Sequence, residues 1–254
     1  LWQRLSQHQG TLRGGFVGTF HRFALQLLRN HSAEAGLPPR FAIADEDEQR
    51  TLIERVLKRL NVPSSRISPR AARSRISAAK NAMATPEQLA ARARGGDERL
   101  IAELYEAYQG ELRTAAAVDF DDMLLGAVGL LEREKGLRKG LASRFRWILV
   151  DEYQDTNLAQ AQLVWLLGGK QPNLTAVGDE DQSIYRWRGA EIENILNFEA
   201  TYPGSRVVTL GRNYRSAEPI LQAAAAVIAN NPRRRPKKLS SEVGRGAPVA
   251  VYLA

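Results

Sequence analysis

Asp151 and Glu152 stand side by side directly after the apolar run Trp147-Ile148-Leu149-Val150, and Tyr153-Gln154-Asp155-Thr156-Asn157 follows them. Apolar residues that stop abruptly at two carboxylates read as a buried strand delivering acids to its carboxyl end, where open α/β sheets hold their ligands. A second run, Leu174-Thr175-Ala176-Val177, opens into Gly178-Asp179-Glu180-Asp181-Gln182-Ser183-Ile184-Tyr185-Arg186-Trp187-Arg188-Gly189-Ala190. Hydrolysis of a nucleoside triphosphate needs Mg²⁺, a positioned water and charge compensation at the γ-phosphate. One carboxylate at a strand tip can hold the ion through its water shell, and its neighbour can orient or deprotonate the attacking water. Asp151 and Glu152 fit these roles, while Gln154, Asp179 and Gln182 add polar groups able to sense the γ-phosphate. Tyr185, Arg186, Trp187 and Arg188 interleave rings with cations, a pattern suited to stacking bases and gripping phosphates.

Each feature also has a plainer reading. Adjacent acids are common at helix starts, and one ring of an aromatic pair ordinarily completes a core. A third chemistry is two-metal phosphodiester cleavage by Asp151, Glu152, Asp155, Asp179 and Asp181. That chemistry has no use for the glutamines and leaves Asn213-Tyr214-Arg215-Ser216 unexplained. The latter string follows Val207-Val208-Thr209-Leu210, read as a strand. Ser216 can cap the Ala-rich helix beyond. Arg215 then sits at the strand-to-helix corner, where a guanidinium can reach a phosphate, and Tyr214 can stack on a base. His21, after Gly18-Thr19-Phe20, can touch a nucleic-acid backbone or make a structural hydrogen bond.

The elements that must position these residues fall into two patterns. Strands are expected at 16–19, 146–150, 174–177 and 206–210, and helices at 20–30, 158–168, 191–200 and 217–230. Alternation of this kind implies a parallel sheet covered by helices. Residues 30–118 read as helical, with Leu52, Val56, Leu57 and Leu60 on one face of a helix over 47–60. Breaks are expected at Asn61-Val62-Pro63, Thr85-Pro86 and Gly95-Gly96. Asp119 is an expected N-cap for a helix running to about Glu134. Arg233-Arg234-Arg235-Pro236-Lys237-Lys238 reads as a turn or linker, a solvated loop in preference to the alternative of a phosphate contact.

The chain has 254 residues, 44% hydrophobic and 25% charged, as in ordinary globular proteins. It has no cysteine, which excludes disulfides and thiolate metal sites. Its three histidines make a histidine-rich metal centre a poor reading. The net charge of +8 makes a polyanionic partner plausible, although an arginine-rich composition gives the same balance. No apolar run approaches bilayer length. Leu1-Trp2-Gln3-Arg4 lacks an initiator Met and a signal-peptide shape, so a fragment with its front removed is expected.

Taken in order, Gly18-Thr19-Phe20-His21, Asp119-Phe120-Asp121-Asp122, the 151–157 string, the 178–190 string and Asn213-Tyr214-Arg215-Ser216 resemble the UvrD/Rep-like superfamily 1A DNA helicases. The resemblance covers nearly the whole chain. It implies an α/β fold: a RecA-like P-loop NTPase parallel sheet with an inserted all-helical subdomain. Residues 1–29 and 119–205 would form a partial RecA-like motor domain, 30–118 the helical insert, and 206–254 the start of a second RecA-like domain. It implies ATP and Mg²⁺ as cofactors, with Asp151 assisting the metal and Glu152 as catalytic base. Gln182 would couple the γ-phosphate to DNA, Tyr214 would stack near the adenine, and Arg215 would be the arginine finger. Thr19, His21, Tyr185, Trp187 and Arg188 would face single-stranded DNA, with Trp187 the stacking ring.

The implied partners are single-stranded DNA and junctions of single- and double-stranded DNA, with translocation 3′ to 5′. The implied location is the bacterial cytoplasm, in association with the nucleoid. The chain departs from the family in lacking a G-x-x-x-x-G-K-[ST] loop, expected upstream, and the later motor motifs, expected downstream. Arg22 also stands where serine is common. A fragment of this kind is expected to be inactive alone. The competing expectation is a non-catalytic module that binds single-stranded DNA.

Overall fold

A computed structural model describes residues 15–169, 172–185 and 189–250. The chain is mixed α/β. Its strands form three separate two-stranded parallel ladders rather than one continuous sheet among the described residues. Helix α1 (Phe20–Asn30) comes first. Strand β1 (Ala42–Ile43) pairs with β2 (Ala117–Val118). Between them lie α2 (Glu46–Arg59), α3 (Pro69–Asn81), α4 (Pro86–Arg92) and α5 (Gly96–Thr114). Helices α6 (Phe120–Arg133) and α7 (Lys135–Arg144) lead to β3 (Ile148–Val150), which pairs with β4 (Leu174–Ala176) across α8 (Leu158–Gly168). After the short α9 (Glu193–Leu196) and α10 (Phe198–Thr201), β5 (Arg212–Asn213) pairs with β6 (Ser240–Ser241) across α11 (Glu218–Ile228).

Local chemistry sets the helix starts. Asp45, Thr85, Asp119 and Asn157 each close a capping box with the residue three positions on, satisfying amide donors that the first turn leaves open. Pro69 and Pro86 sit at the first helical positions, where no amide donor is needed.

Two hydrophobic cores follow from the helix faces. In one, Leu52, Ile53 and Val56 of α2 meet Ala72 and Ile76 of α3 and Leu104, Tyr108 and Leu112 of α5. In the other, Ala24, Leu27 and Leu28 of α1 meet Leu124, Ala127, Val128 and Leu131 of α6 and Leu163 of α8. A smaller cluster of Val150, Tyr153 and Val164 lies under the β3–β4 ladder.

Three expectations are corrected. Phe16–Thr19 joins no ladder among the described residues; the Phe16 ring folds onto Phe23 of α1, edge-on at 5.3 Å, and Thr19 caps that helix. Val207–Leu210 is likewise unpaired, with Leu210 76% exposed, and pairing begins two residues later at Arg212. The strand before Asp151 is not buried on both faces: Val150 is covered, whereas Leu149 is 77% exposed. Period-two alternation turns one face onto the Val164 side and leaves the other uncovered by described residues.

Candidate nucleotide and nucleic-acid site

The acidic pair leaves the ladder at its carboxyl end. The Val177 amide donates to the Val150 carbonyl (2.8 Å), and the Tyr153 amide donates to the Val177 carbonyl (2.9 Å). Residues 151 and 152 are thereby looped out between two ladder bonds, and both side chains are exposed. Glu152 adopts the left-handed region, φ 51° and ψ 46°. A glutamate there carries roughly 1–2 kcal/mol of backbone strain, tolerated because a 3₁₀ turn at Tyr153–Asp155 follows immediately. Strain of this sort concentrates at functional sites.

Gln154 ties the two acidic loops together. It is 1% exposed. Its Nε2 donates to Glu152 Oε2 (2.8 Å), and its Oε1 accepts from the Asp179 amide (3.0 Å). Gln182 Nε2 donates to Asp179 Oδ2 (2.7 Å). One hydrogen-bonded relay therefore runs Glu152–Gln154–Asp179–Gln182. Gly178 makes it feasible: a Cβ there would stand 2.6 Å from Gln154 Oε1 and 2.7 Å from Ile195 Cδ1. Asp151 accepts its neighbour's amide on Oδ1 (3.1 Å) and remains exposed. Its other oxygen can meet a hydrated Mg²⁺, so an outer-sphere ion fits the donor present. The five acids of the two-metal reading do not converge. Among the described residues no three of them form one cage, and Asp181 is engaged by arginine and lysine instead.

Those cations come from the run at 233–238, which is not a solvated loop. Arg234 embraces Asp181 bidentately, Nε at 3.0 Å and Nη2 at 2.8 Å. Lys237 Nζ lies 3.0 Å from Asp181 and also bonds Asp179. Burial alone would push the Asp179 and Asp181 carboxyls up. Hydrogen bonds from Lys237 to both, from Gln182 to Asp179 and from Arg234 to Asp181, outweigh it and hold both below the usual carboxylate value. Asp155 differs: burial first, then repulsion by Glu152, raises its carboxyl, and its Oδ1 is buried without a partner among the described residues.

Of the remaining expected residues, Thr19, His21, Tyr214 and Arg215 make no hydrogen bond to the relay among the described residues. Thr19 Oγ1 accepts from the Arg22 amide (3.2 Å), leaving its hydroxyl proton available to a ligand. His21 packs against the Phe120 ring at 5.5 Å, and burial lowers its imidazole below 6.5. At neutral pH it is therefore a neutral donor or acceptor rather than a cation. Tyr185 is exposed at the start of the aromatic–arginine string. Trp187 and Arg188 lie outside the described residues. Tyr214 is 72% exposed. Arg215 is exposed, its amide held by Asn213 Oδ1 (3.0 Å). Asn213 also accepts from the Ser216 amide, and the N-cap of α11 is Ala217, not Ser216. The guanidinium of Arg215 makes no ion pair among the described residues.

Sequence reasoning missed Gly178 and the pairing of 234 and 237 with 179–181. Gly178 carried a signal, a glycine between a strand and the acids; the long-range pairs carried none.

No described helix is long and apolar enough to cross a membrane. Comparison with known proteins bears on the same segments. The chain is 44% identical over 239 residues to the ATP-dependent DNA helicase PcrA of Leuconostoc citreum, covering 94% of this chain and 32% of that protein. It is 41% identical to the namesake of Staphylococcus epidermidis (94% and 33%) and 40% identical to that of Bacillus subtilis (93% and 32%). It thus spans about a third of the length of these curated relatives. A profile for the UvrD/REP helicase N-terminal domain matches residues 2–203, through both acidic loops and the helices between them, and the chain belongs to that family.

Proposed function

We propose that this chain is part of the motor of an ATP-dependent DNA helicase or translocase that moves 3′ to 5′ on single-stranded DNA and engages single–double-strand junctions in the bacterial cytoplasm. In this reading residues 1–29 and 119–205 belong to a RecA-like domain, 30–118 to a helical insert, and 206–254 to a second RecA-like domain. The separate hydrophobic core of α2, α3 and α5 supports the division. The observation that carries the proposal is the relay from Glu152 through Gln154 and Asp179 to Gln182.

ATP is the substrate; Asp151 would hold a hydrated Mg²⁺, which would supply charge compensation for the phosphates. Glu152 takes the proton of the attacking water; the Gln154 amide bonds its Oε2, and the residue is exposed. Gln182 stands at the other end of the relay, where a change at the γ-phosphate alters its bond to Asp179. Asp179 and Gln182 open the segment that continues into Tyr185, so the same shift moves the residues facing DNA. Trp187 stacks on a base, Arg188 meets a phosphate, and Thr19 and His21 contribute uncharged hydrogen bonds to the strand. Tyr214 packs beside the adenine and Arg215 compensates transition-state charge.

The test is Glu152→Gln in the full-length protein. Loss of a general base lowers kcat by about 10²–10⁴-fold, while nucleotide and single-stranded DNA binding persist. Turnover within about three-fold of wild type, well short of a general base's contribution, would refute the assignment. A wild type that binds single-stranded DNA but hydrolyses no ATP would favour the non-catalytic module.

A further inference from the structure

The end of α3 carries a side chain with no evident duty there. The helix closes without help from Asn81, because the Ala82 amide donates back to the Ala78 carbonyl. Yet Asn81 is bonded on both sides. Its Nδ2 donates to the Ser77 carbonyl (2.8 Å) and to Asp121 Oδ1 on α6 (3.1 Å). Its Oδ1 accepts from Asn157 Nδ2. Asn157 ends the acidic-loop string, and its own Oδ1 caps α8 through the Gln160 amide (2.8 Å). On its remaining side Asn81 fills the space beside Gly189, where a Cβ would stand 2.8 Å from the Asn81 Cβ; Gly189 has φ +83°.

The segments that meet Asn81 are tied to each other as well. The Glu191 amide donates to the Thr156 carbonyl (2.9 Å), and Asn194 Nδ2 donates to the same carbonyl (2.9 Å). Asn81 is therefore a fixed post from the helical layer against which the tail of the carboxylate loop and the tail of the aromatic–arginine segment both rest. The post is rigid. Its neighbour Lys80 is fully buried, with Nζ 2.7 Å from both Asp119 and Asp122.

We propose that Asn81 is a positioning residue that couples the nucleic-acid-facing segment to the carboxylate loop, acting through Asn157 and Gly189. This rests on the reading of the site given above. The test uses the full-length protein, oligo-dT as the single-stranded probe, and Asn81→Ala. Stimulation of ATP turnover by oligo-dT is expected to fall about ten-fold, while turnover without DNA and the KM for ATP stay within about two-fold. Gly189→Ala, which presses on Asn81 from the other side, is expected to reduce stimulation in the same way. Hydrogen exchange is the second readout. In Asn81→Ala the Glu191 amide is expected to exchange about ten-fold faster, with amides in α2 unchanged as the control for folding.

Unchanged stimulation, or a proportional fall of basal and stimulated rates, would overturn the coupling role. Unchanged exchange at Glu191 would do the same. If the wild type hydrolyses no ATP, the hydrolytic reading fails by itself, and the exchange experiment alone decides the role of Asn81.

Discussion

Lys80 shows how much one unadvertised side chain can carry. It is completely buried, bonds Asp119, Asp122 and Gln109, and lies over the rings of Tyr105 and Tyr108. A single lysine in an alanine-rich helix says nothing of this in the sequence, because its partners are distant in the chain. Asp119 was legible, since an acid three positions before another acid at a helix start is a capping signal. Removing one partner from a buried ion cluster leaves charge uncompensated. Lys80→Met is therefore expected to cost about 3–5 kcal/mol in denaturant unfolding.

The same cluster sets a pH dependence. Burial, aided by Asp119 and opposed by Lys80, raises the Asp122 carboxyl to about 6. A carboxyl raised in the folded state binds protons that the unfolded chain does not. Its contribution therefore favours folding as pH falls through 6 toward the ordinary value of about 4. Asp122→Asn removes that gain. Its stability relative to wild type should be less favourable at about pH 5 than at about pH 7.5 in paired melts. The opposite ordering would show that the fold holds the Asp122 carboxyl below its ordinary value rather than above it.

At the scale of elements, the helices and the strands expected at 146–150 and 174–177 were readable, whereas those expected at 16–19 and 206–210 join no ladder among the described residues. The helix at 158–168 and the breaks near 85 and 95 follow from capping residues, proline and glycine. The runs at 16–19 and 206–210 look like strands because short stretches holding Phe, Val, Thr and Leu suit one. A strand, however, exists only where a neighbour completes its ladder, and no local pattern names the neighbour. The basic run at 233–238 misled for the same reason. Arg234 and Lys237 dock the segment between α11 and β6 onto Asp179 and Asp181, and the side chain of Asp181 is only 8% exposed in the pair. The double variant Arg234→Ala, Lys237→Ala is expected to free this segment, read as faster hydrogen exchange over 233–238. In the wild type, salt should shift exchange in the same direction but more weakly, since partly buried pairs are screened less than exposed ones. Because Asp179 and Asp181 titrate below the usual value, the docking stays intact above about pH 4 and loosens only as pH falls through their lowered values.

For the whole molecule, the acid loops at the β3 and β4 tips are joined in one relay, while Arg215 and Tyr214 are exposed and bond none of its members among the described residues. An arginine that compensates charge on ATP must face the phosphates. In this chain nothing in the sequence supplies the glycine-rich loop and lysine that hold the β- and γ-phosphates. Positioning of the γ-phosphate is the larger part of catalysis in phosphoryl transfer. In the proposed reading, Glu152 and Gln182 alone would supply a base and a sensor but no grip on the substrate. The isolated chain is expected to hydrolyse no ATP above background, with or without oligo-dT, even when circular dichroism shows its helices formed. The full-length protein, assayed alongside, is expected to turn over ATP with DNA stimulation. Turnover by the isolated chain that Glu152→Gln abolishes would mean that residues within it grip the phosphates, and the division of labour proposed here between this chain and the rest of the motor would fall.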